Sequence, residues 1–197
     1  MSIVLASTSQ TRSRILAAAG VSHKSADPGL DEAPLRTALQ DQGDSARDIA
    51  KALARAKALA LSPSMPGQLI VGADQILIQN GELFAKPQSL PDAARQLRAL
   101  RGRSHVLISA AALVRDGEVL AEPCAQTRLT MRNFSDAFLA AYLREEGDAI
   151  LGCVGCYHLE GLGAQLFATI EGDYFTVLGL PLIALLASLR ELGMLAT

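Results

Sequence analysis

Asp74 is the residue around which this chain can build chemistry. It follows Leu69-Ile70-Val71, an unbroken apolar run of the kind found in strands buried on both faces. Gly72-Ala73 then removes side-chain bulk. An acid at the end of such a strand opens into a cleft, because an unpaired carboxylate inside a core is strongly disfavoured. A second apolar run, Ile76 to Ile78, meets Asn80-Gly81, a two-residue hairpin signal, and the return strand ends at Lys86-Pro87. A closed hairpin brings Lys86 back toward Asp74. An ordinary hairpin with one solvated acid fits the same pattern.

Four other groups have types and spacings that matter. Ser7-Thr8-Ser9 precedes a helix with Arg12 in its first turn. Cations do better at the opposite end of a helix, so hydroxyls, free N–H groups and an arginine here make a phosphate cradle; equally, Ser9 is only a helix cap and Arg12 only solvated. Asp31-Glu32 forms an acidic pair before Pro34. Lys57 is displaced from the face shared by Lys51 and Arg55 and can reach a cleft. Cys153-Val154-Gly155-Cys156 has C-x-x-C spacing, but a zinc site needs two further ligands and only Cys124 and three histidines remain. Small buried thiols and a redox or metal pair both fit it. The chain lacks G-x-x-x-x-G-K-[ST], and G-x-G-x-x-G is missing after the first strand, against a dinucleotide-dependent oxidoreductase.

These residues must be positioned by alternating strands and helices. Ile3 to Ala6 reads as a buried strand, then a helix from about Gln10 to Ala19 with Ile15, Leu16 and Ala19 inward. Residues 22–33 read as strand and loop, and Pro34 opens a short helix to about Gln42. A longer helix runs from Ser45 or Ala46 to Leu61, with Ile49, Leu53, Ala56 and Ala60 on one face. Pro91 starts a helix to about Leu100. Val106 to Arg115 and Val119 to Arg132 form a long hairpin around Asp116-Gly117. Ser135 caps a helix that Gly147 ends. Leu151 to Tyr157 and Gln165 to Ile170 read as strands, Gly172-Asp173-Tyr174 as a turn, and Pro181 opens a last helix, apolar almost all round and so buried. The pattern predicts an α/β fold: a mixed, curved β-sheet flanked by helices, with a groove.

The totals narrow the class. With 197 residues the chain suits one domain, 1–197, or two small lobes sharing a core. Half the residues are hydrophobic and 19% charged, enough for a sizeable interior, and the formal net charge of −2 argues against non-specific coating of nucleic acid or an anionic membrane. Trp is absent and aromatics are scarce, against a stacking platform for single strands. No basic, apolar leader is visible, and the most apolar segment, Val177 to Ala187, is too short to span a bilayer. A cytoplasmic protein is expected.

Taken together, the motifs are specific. Leu5-Ala6-Ser7-Thr8-Ser9-Gln10-Thr11-Arg12 resembles the opening L-A-S-x-S-P-R-R signature of the Maf family of nucleotide pyrophosphatases. Asp31-Glu32 resembles its acidic pair, and Gly72-Ala73-Asp74-Gln75 with Lys86-Pro87 its G-[AS]-D-[TQ]…G-K-P core. Gly155-Cys156-Tyr157, Glu160-Gly161, Gly172-Asp173-Tyr174 and Val177 to Leu182 resemble its carboxy-terminal block. The resemblance spans the whole chain. It implies hydrolysis of a nucleoside triphosphate to monophosphate and pyrophosphate with a divalent cation, Mg²⁺ first and Mn²⁺ or Co²⁺ as alternatives. It also implies a Maf/ITPase-like fold with two lobes and a central cleft, a homodimer, and an association with septum formation. A non-catalytic nucleotide-binding regulator of cell division is the alternative.

By the same resemblance Asp74 is the catalytic acid, as general base or as ligand to a metal whose water attacks. Glu32 is the second metal ligand. Ser9, Arg12, Lys57 and Lys86 hold phosphates. Thr11, Gln75 and Glu160 sit where family members differ by base. Gln75 with Glu160 resembles the branch taking 7-methyl-GTP; the dTTP and UTP branch has Thr and Gln there. That methylguanine branch has Trp where this chain has Thr11, and the family's Pro and Gly are here Gln10 and Ala85.

Overall fold

The computed structural model describes residues 2–196. Strand β1 (Ile3–Ala6) leads to helix α1 (Gln10–Ala18), β2 (His23–Ala26), α2 (Ala33–Asp41) and α3 (Ala46–Leu61). Then come β3 (Leu69–Gln79), β4 (Glu82–Phe84), α4 (Leu90–Leu100), β5 (Ser104–Arg115), β6 (Glu118–Ala121), β7 (Cys124–Met131) and α5 (Asp136–Glu146). After two 3-10 turns, β8 (Phe167–Glu171), the short α6 (Tyr174–Val177) and α7 (Leu182–Glu191) end the order. Eight strands make one sheet, β2-β1-β3-β5-β7-β8, with β4 on β3 and β6 on β5. β1 pairs in parallel with β2 and β3, and the other pairs are antiparallel. The expected mixed sheet flanked by helices is what the chain forms.

Local chemistry explains most boundaries. Ser9, Ser45, Ser89 and Ser135 each accept a hydrogen bond from a backbone N–H three residues on, capping α1, α3, α4 and α5. Asn80 (φ 50) and Gly81 (φ 87) turn β3 into β4, and Asp116 (φ 50) and Gly117 (φ 81) turn β5 into β6, both positions of each turn needing positive φ.

The sheet positions the site by changing partners along β3. Residues 69–72 of β3 pair with β1 and residues 77–79 pair with β4, while β5 runs along the other edge from Ile70 to Ile78. Residues 73–76 therefore have no strand on one side. Asp74 and Gln75 lie in that gap. The expectation that Asp74 ends a strand is corrected: it lies mid-strand, and the opening comes from the missing neighbour, not from a strand terminus.

Other expectations need correction. Leu151 to Tyr157 is not a strand: a 3-10 turn spans Gly147–Gly152 and a glycine-bearing loop follows. β8 begins only at Phe167, after a 3-10 turn at Leu162–Leu166. The inner face of α3 is Ile49, Ala50, Leu53, Ala54, Lys57 and Ala58, with Ala56 only half-buried and Ala60 exposed. Lys57, expected to reach a cleft from outside the apolar face, belongs to the buried face itself. Helix α7 is not covered all round: Leu182, Leu185 and Leu189 are buried, but Ile183 is 62% exposed.

Candidate active site

One cleft of about 480 Å³ is lined by Ser9, Thr11, Arg12, Glu32, Lys57, Asp74, Gln75, Lys86 and Glu160. All nine residues singled out from the sequence thus meet at one cavity, from α1, the loop before α2, α3, β3, the loop after β4 and the loop after α5.

Asp74 is 4% exposed and Lys57 6%. Lys57 Nζ donates to Asp74 Oδ1 at 2.7 Å and lies 3.0 Å from Glu32 Oε2. Gly72 makes this possible. It shares a strand face with Asp74, and a Cβ there would stand 2.0 Å from the carbonyl oxygen of Ala54 and 2.8 Å from the amide of Ala58. Helix α3 therefore lies directly on the β3 backbone, and Lys57, between those two residues, reaches the carboxylate.

Arg12 is held from three directions. Its Nε donates to Gly179 O (2.8 Å), and its Nη1 donates to Ala73 O (3.0 Å) and to Ser7 Oγ (3.3 Å). Ala73 O faces the gap in the sheet and also lies 3.4 Å from Lys57 Nζ. The two cations thus take up a carbonyl that has no strand partner on that edge. Burial pulls Arg12 below its ordinary value, opposed by the charges of Asp74 and Glu32. An arginine titrates so high that it stays cationic here. Ser9 caps α1, accepting from the backbone N–H of Arg12 at 3.3 Å. Lys86 is exposed on the cleft rim, where the closed β3–β4 hairpin returns it.

Gln75 is more committed than its position suggested. Its amide nitrogen donates toward Thr176 O (2.9 Å), Val177 O (3.0 Å) and Ser109 Oγ (3.2 Å), tying α6 to the sheet. Only its carbonyl oxygen is left for a ligand. Thr11 and Glu160 share one neighbour: Arg14 Nη2 lies 3.2 Å from Thr11 Oγ1 and 3.4 Å from Glu160 Oε1.

Arg36, Cys153, Tyr157 and His158 also line the cleft, and sequence reasoning gave none of them a place in the site. Arg36 had a signal, since it stands one helical turn after Glu32, and its Nη2 lies 3.5 Å from Glu32 Oε2. Cys153 and Tyr157 stood in the C-x-x-C and Gly155-Cys156-Tyr157 motifs, but nothing there said that they face this cleft, and His158 had no signal, because a loop carries no periodicity.

The Maf family model, described as Maf-like protein, matches residues 2–192, and the chain belongs to the Maf family. It is 47% identical over 193 residues to a protein of Rhodospirillum rubrum named nucleoside triphosphate pyrophosphatase, covering 98% of this chain and 96% of that one. A protein of Gluconobacter oxydans with the same name is 50% identical, with 99% and 97% covered. A protein of Mesorhizobium japonicum named 7-methyl-GTP pyrophosphatase is 47% identical, with 97% and 96% covered. Among the described residues no helix is long and apolar enough to cross a membrane.

Proposed function

We propose that this chain hydrolyses nucleoside triphosphates between the α and β phosphorus atoms, releasing a nucleoside monophosphate and pyrophosphate. The observation that carries the reading is the Lys57 ammonium shared by Asp74 and Glu32, beside Arg12, at the unpaired stretch of β3. A carboxylate held this way can take a proton from a water molecule, and three cations around it suit a polyanionic tail. Lys57 holds Asp74 in one orientation, while Arg12 and Lys86, from separate elements lining the cleft, neutralise the phosphates. Ser9 and the free N–H groups that open α1 orient them.

A divalent cation fits the donors. Asp74 Oδ2 is buried and has no hydrogen-bond partner, and Glu32 supplies a second oxygen beside it. Hard oxygen ligands suit Mg²⁺, with Mn²⁺ or Co²⁺ as substitutes. Among the described residues no three acidic, His or Cys side chains form a complete cage, so phosphate oxygens and water would fill the remaining positions. The cation supplies charge neutralisation and lowers the pKa of bound water.

For the base, the reading is a guanine-type nucleotide such as 7-methyl-GTP, ahead of dTTP or UTP. Glu160 supports it, since a carboxylate only accepts hydrogen bonds and suits a ring with N–H groups on one edge. The relatives named 7-methyl-GTP pyrophosphatase point the same way. Neither nucleic acid nor a membrane enters this reading; a homodimer does, to be checked by sedimentation. The test is pyrophosphate release from a panel of methylated and unmethylated nucleoside triphosphates with Mg²⁺. Release from none of them would leave only a nucleotide binder.

A further inference from the structure

Cys153, His158 and Glu146 form a chain of hydrogen-bonding side chains that the proposed hydrolysis does not use. Cys153 Sγ lies 3.1 Å from His158 Nε2, and His158 Nδ1 lies 3.4 Å from Glu146 Oε2. With the Nδ1 proton directed at the carboxylate, Nε2 is left to accept from the thiol. A nucleophile, a base and a group orienting that base are thus in sequence. Cys153 is half-buried, and both it and His158 line the substrate cleft. The C-x-x-C partner faces elsewhere: Cys156 is buried, with its Sγ 3.5 Å from Gln96 Oε1. A metal reading fails, because among the described residues no three such ligands converge.

We propose that Cys153 is a thiol modification site for small peroxides, with His158 as its base, and that its oxidation closes the cleft to nucleotide. The thiol sulfur attacks one peroxide oxygen; an S–O bond forms as the O–O bond breaks. The thiol proton passes to His158 Nε2 and on to the departing hydroxide, giving water. Sulfur loses two electrons and the peroxide gains them, leaving a sulfenic acid. The base is required because burial raises Cys153 and keeps the resting group a neutral thiol. The position suits control of the site. Cys153 lines the same cleft as Arg12, Lys86 and Glu160, so an adduct there takes up space that a ligand reaching all three needs. The closure rests on the pyrophosphatase reading; the chemistry at sulfur does not.

The test treats the whole protein with hydrogen peroxide in the presence of dimedone and reads each cysteine by peptide mass spectrometry. Cys153 is expected to react about tenfold faster than Cys124, which is also only half-buried but has no histidine against its thiol. Formation of a Cys153–Cys156 disulfide counts as reaction at Cys153. His158→Gln should slow the reaction about tenfold while leaving the thermal melt in place. Equal labelling of Cys124 and Cys153, or a His158→Gln rate equal to that of the unchanged chain, overturns the proposal. In a parallel arm, pyrophosphate release should fall in step with labelling, and Cys153→Ser should keep its own untreated rate in peroxide. A labelled protein that still turns over at full rate overturns the closure. A chain without pyrophosphatase activity leaves the labelling arm fully decisive.

Discussion

Lys57 Nζ and Asp74 Oδ1 lie 2.7 Å apart inside the protein, with Glu32 as the ammonium's second partner. Both groups come from positions that pattern alone would make apolar, the inner face of a helix and the middle of a central strand. Each is tolerated because the other is there, since a single buried charge without a partner is strongly disfavoured.

Asp74→Asn tests what that pair is for. Asparagine keeps the shape, and its oxygen still accepts from Lys57, which retains Glu32 as a charged partner. The fold should survive, and thermal melts of the two proteins should be similar. The amide cannot take a proton, so turnover should fall by about 10²- to 10⁴-fold. Near-normal kcat in the variant would remove Asp74 from the mechanism.

Gly72→Ala tests how the pair is brought together. The new methyl would meet backbone on both nearby sides, Ala54 O at 2.0 Å and Ala58 N at 2.8 Å, and neither can swing away as a side chain could. Helix α3 must lift off β3. We expect a loss of about 1–3 kcal/mol in urea unfolding, with turnover falling further because Lys57 moves with the helix. An unaltered unfolding midpoint would mean that α3 relaxes without losing contact.

Much of this arrangement was legible in the residues, and what was not has physical causes. The serines that open α1, α3 and α5, the proline that opens α4, the two positive-φ hairpins and the inward face of α1 are local signals, and they placed those elements to within a residue or two. The gap beside residues 73–76 could not be read, because it depends on which strands lie beside β3. Leu151 to Tyr157 looked like a strand because it is apolar and follows a helix. Gly155 (φ 85) and Cys156 (φ 62) instead turn the backbone, and Tyr157 is drawn in toward His105. Lys57 was suspected from its offset on α3, yet its burial follows only from Asp74.

His105 predicts a pH dependence of stability separate from catalysis. It is 1% exposed; its Nε2 lies 2.8 Å from Tyr157 Oη, and its Nδ1 is buried without a partner. Burial lowers its pKa from 6.5 to about 4. The unfolded chain therefore binds a proton below about pH 6.5 that the native state refuses until about pH 4. Stability contributed by the neutral ring is present above that window and lost as pH falls through it, by up to about 3 kcal/mol at the lower end. Urea midpoints at neutral pH and at several points down to pH 4.5 should decline more steeply for the unchanged chain than for His105→Phe. Parallel declines would show that other groups govern the acid limb.

Glu160, proposed above to meet the base, is held by the exposed Arg14. Its side chain is 70% exposed, and at 3.4 Å it holds Glu160 Oε1 only loosely. Such a surface pair is worth about 0–1 kcal/mol and yields readily to a ligand. On that proposal the carboxylate is free to accept from the N–H groups of a guanine-type edge, with Thr11 lining the same cleft. Glu160→Gln turns a pure acceptor into a group that also donates. The ratio of kcat/KM for guanine-type over pyrimidine triphosphates should fall by about tenfold, equivalent to about 1.4 kcal/mol. Because the residue sits at the mouth of the cleft and not in the core, the unfolding midpoint should stay where it is. A panel in which every triphosphate loses rate equally would assign Glu160 to phosphate or metal handling and return base selection to Thr11 and the carbonyl of Gln75.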